Sequence, residues 1–470
     1  MRFAERGLRN TKSVTLVFVG ISLLYLSSLA PVILADDTWN ASGSLDLRGV
    51  EALESDSIKE EPSLIGKVKL DTGGPAWRFN AWIEGGWDGS VKRPVRDHSL
   101  FKNYDEVYQS NTTYLEFKEL CVTRTSGDLD IRAGIQRFAW GRLDEYPPND
   151  LLNPWDYTQF LRKSLEDRKI GVPSVSAKLE RGGWAYEAVW VPVFVPYRLA
   201  MPDERWAGSS DILTSAQAIT KADITPQEPV LPDRRIENGN IGLRMKRVGD
   251  IEWTMNLFHG FDPKPVFKTT AFTIVPQGGN VLIDPGYIPD FHRITVIGTD
   301  AAAVRGDVSL RAEAAYSVNR YFNIRRELWG YPSAPTFGTN ALNPDIEQKF
   351  SVLDYGIGAD CRLFEDGLLT TQAQQTIILG NVDLLYEKKV ETILWANVKV
   401  NWMNQKIETN FSMAYNPEHG DRMVKANAWY VFSDLWKAGL AALDMNGPTQ
   451  SMFGRYSMND QIEVEIKCIW

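Results

Sequence analysis

Hydrophobic and polar positions alternate with a period of two along most of this chain. Between Trp77 and Asp88, the residues Trp77, Phe79, Ala81, Ile83, Gly85 and Trp87 share one face, and Arg78, Asn80, Trp82, Glu84, Gly86 and Asp88 share the other. Successive side chains of a β-strand point to opposite faces, so this pattern predicts a strand with lipid on one side and water on the other. Trp87 follows Trp77 by ten positions. At about 3.3 Å per residue and a tilt of about 40°, that span rises roughly 25 Å, the height of the apolar band between the aromatic girdles of a membrane barrel.

The same grammar recurs. Ile251, Trp253, Met255 and Leu257 alternate with Glu252, Thr254, Asn256 and Phe258. Val308, Leu310, Ala312, Ala314 and Tyr316 alternate with Ser309, Arg311, Glu313, Ala315 and Ser317. Tyr355, Ile357, Ala359, Cys361 and Leu363 alternate with Gly356, Gly358, Asp360 and Arg362. A single strand of this kind would suit the exposed face of a soluble sandwich. A whole chain of them, with no helical stretch to cover a sheet, predicts closure into a barrel, which removes the exposed edges.

Turn chemistry orders the strands. Tight connections rich in Gly or Asp fall at 72–75, 126–127, 182–183, 249–250, 305–307 and 365–367, with weaker ones at 403–405 and 433–434. Longer polar segments at 89–110, 139–171, 195–236, 262–290, 320–349 and 445–459 separate them. Short and long connections alternate, as periplasmic turns and extracellular loops do in outer-membrane barrels. The expected fold is a single all-β domain, a closed antiparallel transmembrane β-barrel over residues 36–470, of about eighteen strands with sixteen as the alternative count. At the C-terminus, Ile462, Val464, Ile466, Cys468 and Trp470 alternate with Glu463, Glu465 and Lys467. An amphipathic last strand that stops on an aromatic resembles the assembly signal read by the barrel-assembly machinery, with Trp470 as its candidate residue. That strand is expected to pair with the first one, near Ser42 to Ala52, because an unpaired edge invites aggregation.

The ends and the composition fit an exported protein. Arg2, Arg6, Arg9 and Lys12 precede an apolar stretch from Val14 to Leu34, which predicts a signal peptide over residues 1–35 cut after Ala35. The stretch is also long enough for an uncleaved membrane anchor. Either way the chain leaves the cytoplasm, and the expected destination is a Gram-negative outer membrane with lipid around it. The chain holds 51 Lys and Arg against 60 Asp and Glu; residues 1–35 take four of the cations and one of the anions, leaving 47 against 59, a net charge of −12. That balance excludes a nucleic-acid partner, which wants a basic face. Cys121, Cys361 and Cys468 are odd in number and far apart, so no disulfide framework is expected. Each falls on the apolar face of a proposed strand, as a small hydrophobe. His98, His259, His292 and His419 stand singly, with no nucleophile context and no metal-ligand spacing. Asp284 to Asp290 are acidic but lack the dense spacing of an EF-hand. Neither an enzyme nor a cofactor nor a metal site is expected.

The most distinctive stretch runs from Asp130 to Pro173. Arg132, Gly134 and Gln136 alternate along a strand, and Trp140, Gly141, Arg142 and Asp144 follow. Asp150, Asn153, Pro154, Trp155, Asp156, Asp167 and Arg168 complete it. A connection this long is uncommon unless functional or disordered, and its aromatic residues disfavour disorder. The run Arg-x-Gly-x-Gln…Trp-Gly…Asp…Asn-Pro-x-Asp resembles the signature of the alginate-export-type and related porin-like barrels of Gram-negative bacteria. Gly134, Trp140, Gly141, Asn153, Pro154 and Asp156 carry that signature here. The resemblance continues through Asn238 to Arg244, Arg311 to Glu313 and Arg455 to Asp460, and so spans nearly the whole exported chain. It implies an eighteen-stranded barrel. The chain departs from the pattern by ending on Trp470 rather than the usual Phe, and its acidity gives no ground for assuming an anionic polymer as cargo.

The resemblance implies, and pore physics supports, that the 139–171 connection folds inward and narrows the lumen, where charges set selectivity. Arg142, Asp144, Arg162, Asp167 and Arg168 are the candidate constriction residues. Arg78, Glu84, Arg132, Gln136, Arg311, Glu313 and Arg362 are the candidate pore-lining wall residues by strand parity. The competing role for Asp144, Asp150, Asn153, Asp156 and Asp167 is to brace the loop through turns and ion pairs. The expected function is a water-filled channel passing small polar solutes or a hydrophilic polymer. Export of an anionic polysaccharide ranks lower because the inner parity mixes both signs. A barrel that sheathes a periplasmic partner such as a multihaem cytochrome is the third reading, and the chain has no Cys-x-x-Cys-His to carry haem itself.

Overall fold

A computed structural model of the chain describes residues 39–53, 62–89, 106–110, 113–200, 205–207, 231–233, 235–269, 273–277, 280–284, 287–325 and 346–470. The expected signal peptide and His98 lie outside the described residues. Eighteen strands form one ring. They are β1 (Trp39–Ala52), β2 (Ser63–Gly73), β3 (Trp77–Asp88), β4 (Thr113–Ser126), β5 (Leu129–Gln136) and β6 (Val172–Arg181). Next come β7 (Trp184–Val191), β8 (Asn240–Arg247), β9 (Ile251–Phe261), β10 (Arg293–Arg305), β11 (Val308–Asn323) and β12 (Glu347–Phe364). The rest are β13 (Gly367–Leu379), β14 (Val390–Trp402), β15 (Ile407–Asn416), β16 (Asp421–Val431), β17 (Trp436–Asn446) and β18 (Gln461–Ile469).

Each strand pairs antiparallel with its neighbours in the chain, and β18 returns to β1 with Leu45 opposite Cys468 and Arg48 opposite Glu465. Closure gives every strand a hydrogen-bonded partner on both sides, the condition for crossing a bilayer with strands. Outward side chains such as Leu310, Ile357, Phe411, Leu440 and Val464 are exposed, while inward Thr254, Asp300, Glu313 and Asp354 are buried. Beside the short turns, Trp77, Phe364, Trp402, Tyr430 and Trp436 are exposed and outward, forming an aromatic girdle on that rim. Apolar outside and polar inside is the order of a membrane barrel. The chain is a transmembrane β-barrel of the Gram-negative outer-membrane type.

Two details depart from the sequence pattern. Residues 417–420, between β15 and β16, form a four-residue turn on the rim of the long connections, so the strict alternation of connection lengths fails there. The second departure concerns Cys121. The β3–β4 register shifts between Trp82 and Ile83, with Lys118 as the extra residue on β4. A bulge of one residue reverses the face of everything beyond it. Cys121 therefore points inward, 2% exposed, with the Arg132 Nε donating to its Sγ at 2.9 Å. It is not on the apolar outer face expected for it; Cys361 and Cys468 keep the parity of the outward Ile357 and Ile466.

Candidate functional site

Inward positions of a membrane barrel are ordinarily polar, but apolar inward patches occur here, and two of them meet one connection. Val189, Val191, Phe258, Ile294 and Val296 on β7, β9 and β10 pack with Phe138, Trp140 and Leu152. On the opposite wall, Ala414, Met423, Leu443 and Met445 of β15–β17 pack with Phe160 and Leu161. Both sets of packing partners belong to one connection, residues 137–171 between β5 and β6, hereafter the third loop. Full burial of one such large side chain contributes roughly 1.5–3 kcal/mol. The loop is thus held by inward-facing wall residues at its base and again at Phe160 and Leu161.

Polar contacts extend between those anchors. Gly141 has φ of +91°, and a Cβ there would stand 2.6 Å from Oε1 of Glu313, so glycine lets the backbone approach that carboxylate. Glu313 then accepts the backbone N–H groups of Arg142 at 2.8 Å, Leu143 at 3.0 Å and Asn149 at 2.6 Å. The Arg142 guanidinium donates to Asp300 at 2.5 Å and Glu252 at 2.9 Å. Arg311 donates to Asp144 and Asp360, both at 2.9 Å, and to the Arg142 carbonyl at 2.8 Å. On the far side, Arg162 forks onto Glu463 at 2.8 and 3.1 Å, and Lys67 donates to Asp167 at 2.6 Å. Arg168 pairs within the loop, with Glu145 at 2.5 Å.

Asn153 and Pro154 lie where the two ends of the loop meet. The Asn153 side chain accepts the Phe138 N–H at 2.7 Å and donates to the carbonyls of Gln136 and Ile170 at 3.0 and 2.8 Å. The Pro154 carbonyl accepts the Ile170 N–H at 3.0 Å. These contacts brace the loop's two ends against each other. Trp140 donates its Nε1–H to Glu187 at 3.0 Å and lies over Gly242. Gly134 has φ of +129°, and a Cβ there would meet the Leu120 carbonyl at 2.2 Å.

Electrostatics differ among the loop's carboxylates. Burial pushes Asp156 up, but Lys163, Arg198 and Lys118 together outweigh it and hold the carboxyl well below its ordinary range. Asp167 is likewise lowered, with Lys67 outweighing burial. Asp150 is raised, because burial exceeds the pull of its partner Lys169.

The wall candidates divide. Glu84 is buried, accepts the Tyr114 hydroxyl at 2.9 Å, and lies 3.8 Å from Lys118 and 3.9 Å from Lys67. Gln136 is fully buried and donates to the Ser174 carbonyl at 2.8 Å. Arg132 pairs with Glu119. Arg78, paired with Asp130 at 2.9 Å, and the exposed Arg362 stand at the short-turn rim, apart from the third loop. Sequence reasoning missed Glu252, Asp300, Glu463, Lys67 and Lys425, which meet the loop from the wall. The available signal was an apolar residue on a polar face, such as Phe258, which marks where something docks inside.

Beside the loop's 162–167 stretch lies a cavity of about 220 Å³, walled by β16–β18, β1, β2 and β3. Arg48, Lys67, Lys425, Asp46, Glu84 and Glu463 are among its lining residues. Each lining carboxylate has a cation within ion-pair distance: Asp46 has Lys467, Glu84 and Asp167 have Lys67, and Glu463 and Glu465 have Arg48. Lys425 donates to the Leu161 carbonyl and forms no ion pair among the described residues. No group of three His, Cys, Asp or Glu is placed to hold a metal among the described residues.

No known protein-family profile matches the chain, and no curated protein matches it. Solved structures do align over 92% of it. OccAB1 of Acinetobacter baumannii aligns over 95% of its own length at 9% identity and a TM-score of 0.47. OccK5 (OpdH) of Pseudomonas aeruginosa aligns over 98% of its length at 8% identity and a TM-score of 0.47. The outer membrane channel DcaP of A. baumannii aligns over 97% of its length at 8% identity and a TM-score of 0.42. The likeness is one of architecture, and no cargo is carried over from it.

Proposed function

We propose that the chain is an outer-membrane channel for small hydrophilic solutes, a single barrel domain narrowed by its third loop. The supporting observation is that the loop's side chains and backbone engage inward residues on opposite walls, from Asp300 and Glu313 to Glu463 and Lys67. A loop so held divides a wide barrel into narrow passages lined by charge, and such charges act on ions at close quarters. The cavity beside it is below the roughly 300–1,000 Å³ typical of drug-sized ligand sites. Its mixed charge lining gives no preference for an anionic polysaccharide. Arg142, Asp144, Arg162 and Asp167 set the loop's position through their wall contacts, and Arg168 stiffens it from within.

The test is conductance of the purified, refolded barrel in a planar bilayer. Stepwise openings, with a reversal potential across a salt gradient, are the expected result. A heat-modifiable barrel that never conducts would refute the channel and favour a sheath around a partner protein.

A further inference from the structure

The deepest charges in the molecule are not those of the third loop alone. Residues 192–239 connect β7 to β8 and form the fourth loop. Its short strand Arg198–Leu199 runs parallel to Asp156–Tyr157 of the third loop, with Arg198 opposite Asp156 and Leu199 opposite Tyr157. Backbone bonds secure this seat: the Arg198 N–H donates to the Trp155 carbonyl and the Tyr197 N–H to the Pro263 carbonyl, both at 3.0 Å. The Arg198 side chain is fully buried. Its guanidinium stands 2.8 Å from Glu116 on the wall and 3.5 Å from Asp156 on the third loop.

Each of those two carboxylates also meets a second cation among the described residues. Asp156 meets Lys163 of its own loop at 3.2 Å, and Glu116 meets Lys118 of its own strand at 3.1 Å. The result is a buried line of alternating charge, Lys163–Asp156–Arg198–Glu116–Lys118. One end belongs to the third loop and the other to the wall. Arg198 is the middle link, and it comes from a third element. Without it, the loop pair and the wall pair each remain internally neutralised but lose their direct link, leaving the longer route from Lys118 through Glu84 and Lys67 to Asp167. Glu116 and Lys118 share the inward face because they stand two residues apart on β4.

We propose that Arg198 is a positioning residue for the constriction, so that the passage is set by the third and fourth loops clamped together rather than by the third loop alone. This rests on the channel reading above. The fourth loop has a second hold further along: Trp206 joins the apolar cluster around Phe160 and Leu161, and Arg205 exchanges bonds with Asn459 of the 447–460 connection. The fourth loop is thereby fastened on both sides of the third.

Three variants test the clamp, each read by single-channel conductance and by heat-modifiability of the barrel. Tyr157→Cys with Leu199→Cys places two cysteines at partnered positions of a β-pair, within the span a disulfide bridges. Under mild oxidation this variant is expected to form the 157–199 disulfide and to conduct like the wild type. Arg198→Met is expected to keep a heat-modifiable barrel but to show a higher and noisier open conductance. Arg198→Met carrying both cysteines should return to wild-type conductance when oxidised and rise again on reduction, a rescue that loss of general stability does not produce. If Arg198→Met alone does not assemble, the triple variant folded oxidised and then reduced in the bilayer gives the same reading. Failure of the disulfide to form, or an Arg198→Met channel conducting as the wild type does, overturns the clamp while leaving the channel standing. A wild-type barrel that never conducts overturns both.

Discussion

Glu313 shows how a single side chain fixes a loop. Its carboxylate accepts three backbone N–H groups from the third loop. A glutamine keeps the shape but presents an NH₂ where an N–H already points, so at least one donor is left without an acceptor. Hydrogen bonds to charged groups contribute about 1.5–3 kcal/mol each. Glu313→Gln is therefore expected to loosen the third loop by that order while the barrel stays heat-modifiable, visible as new tryptic cleavage within residues 137–171. Lys425 donates to the Leu161 carbonyl of the third loop and also places a cation in the lining of the cavity. Lys425→Gln, which keeps a donor for that carbonyl and removes the charge, is expected to move the reversal potential towards cation selectivity in a salt gradient. An unchanged reversal potential would mean that ions pass elsewhere.

At the scale of elements, the third loop behaves as an inserted partition whose charges are matched to the wall. Asp156 and Asp167 have lowered pKa values in the fold, through Lys163, Arg198 and Lys118 for the first and Lys67 for the second. An unfolded aspartate titrates near about 3.9. The stabilisation from both groups is thus complete above that value and is lost only as the pH falls through the lower folded values. Asp150 has the opposite sign: burial raises it, so its protonation under mild acid favours the fold. Through these three groups, the protease resistance of the loop is accordingly expected not to fall between pH 7 and about pH 4.5. Closure or release of the loop in that interval would show that groups other than these three control it.

For the whole molecule, the decisive event is closure of β18 onto β1. The Gly43 N–H donates to the Trp470 carbonyl at 2.9 Å, and the Trp470 N–H returns to Gly43 at 3.1 Å. A Cβ on Gly43 would lie 2.5 Å from both the Trp470 ring and the Lys67 carbonyl. The ring thus covers the seam where the two ends of the sheet meet. Gly43→Val should lower the fraction of heat-modifiable barrel sharply, because the Lys67 contact is with backbone and cannot swing aside. Trp470→Ala should slow assembly more than it harms the finished barrel, since the backbone pairing of the seam survives. Folding yield against time on a gel separates the two outcomes.

Much of the barrel was legible in the sequence because its rule is local. A strand's faces alternate residue by residue, so Trp77 to Asp88 or Val308 to Ser317 declare inside and outside without knowledge of any neighbour. Tight turns supply the count, and eighteen strands follow. Local rules fail where one residue is added: the bulge at Lys118 reversed the face of Cys121, and nothing in the residues themselves announces it. Arg142, Asp144, Arg162 and Asp167 were recognisable as charges on a long connection. Their partners were not, because Asp300, Glu313 and Glu463 lie more than a hundred residues away. Arg198 was hidden further, in a polar loop whose seat depends on another loop's backbone. The chain's alternation determined the wall, since each strand pairs with its neighbour in sequence. Only the closed ring decided what fills it, because closure brings distant inward faces together around a common space.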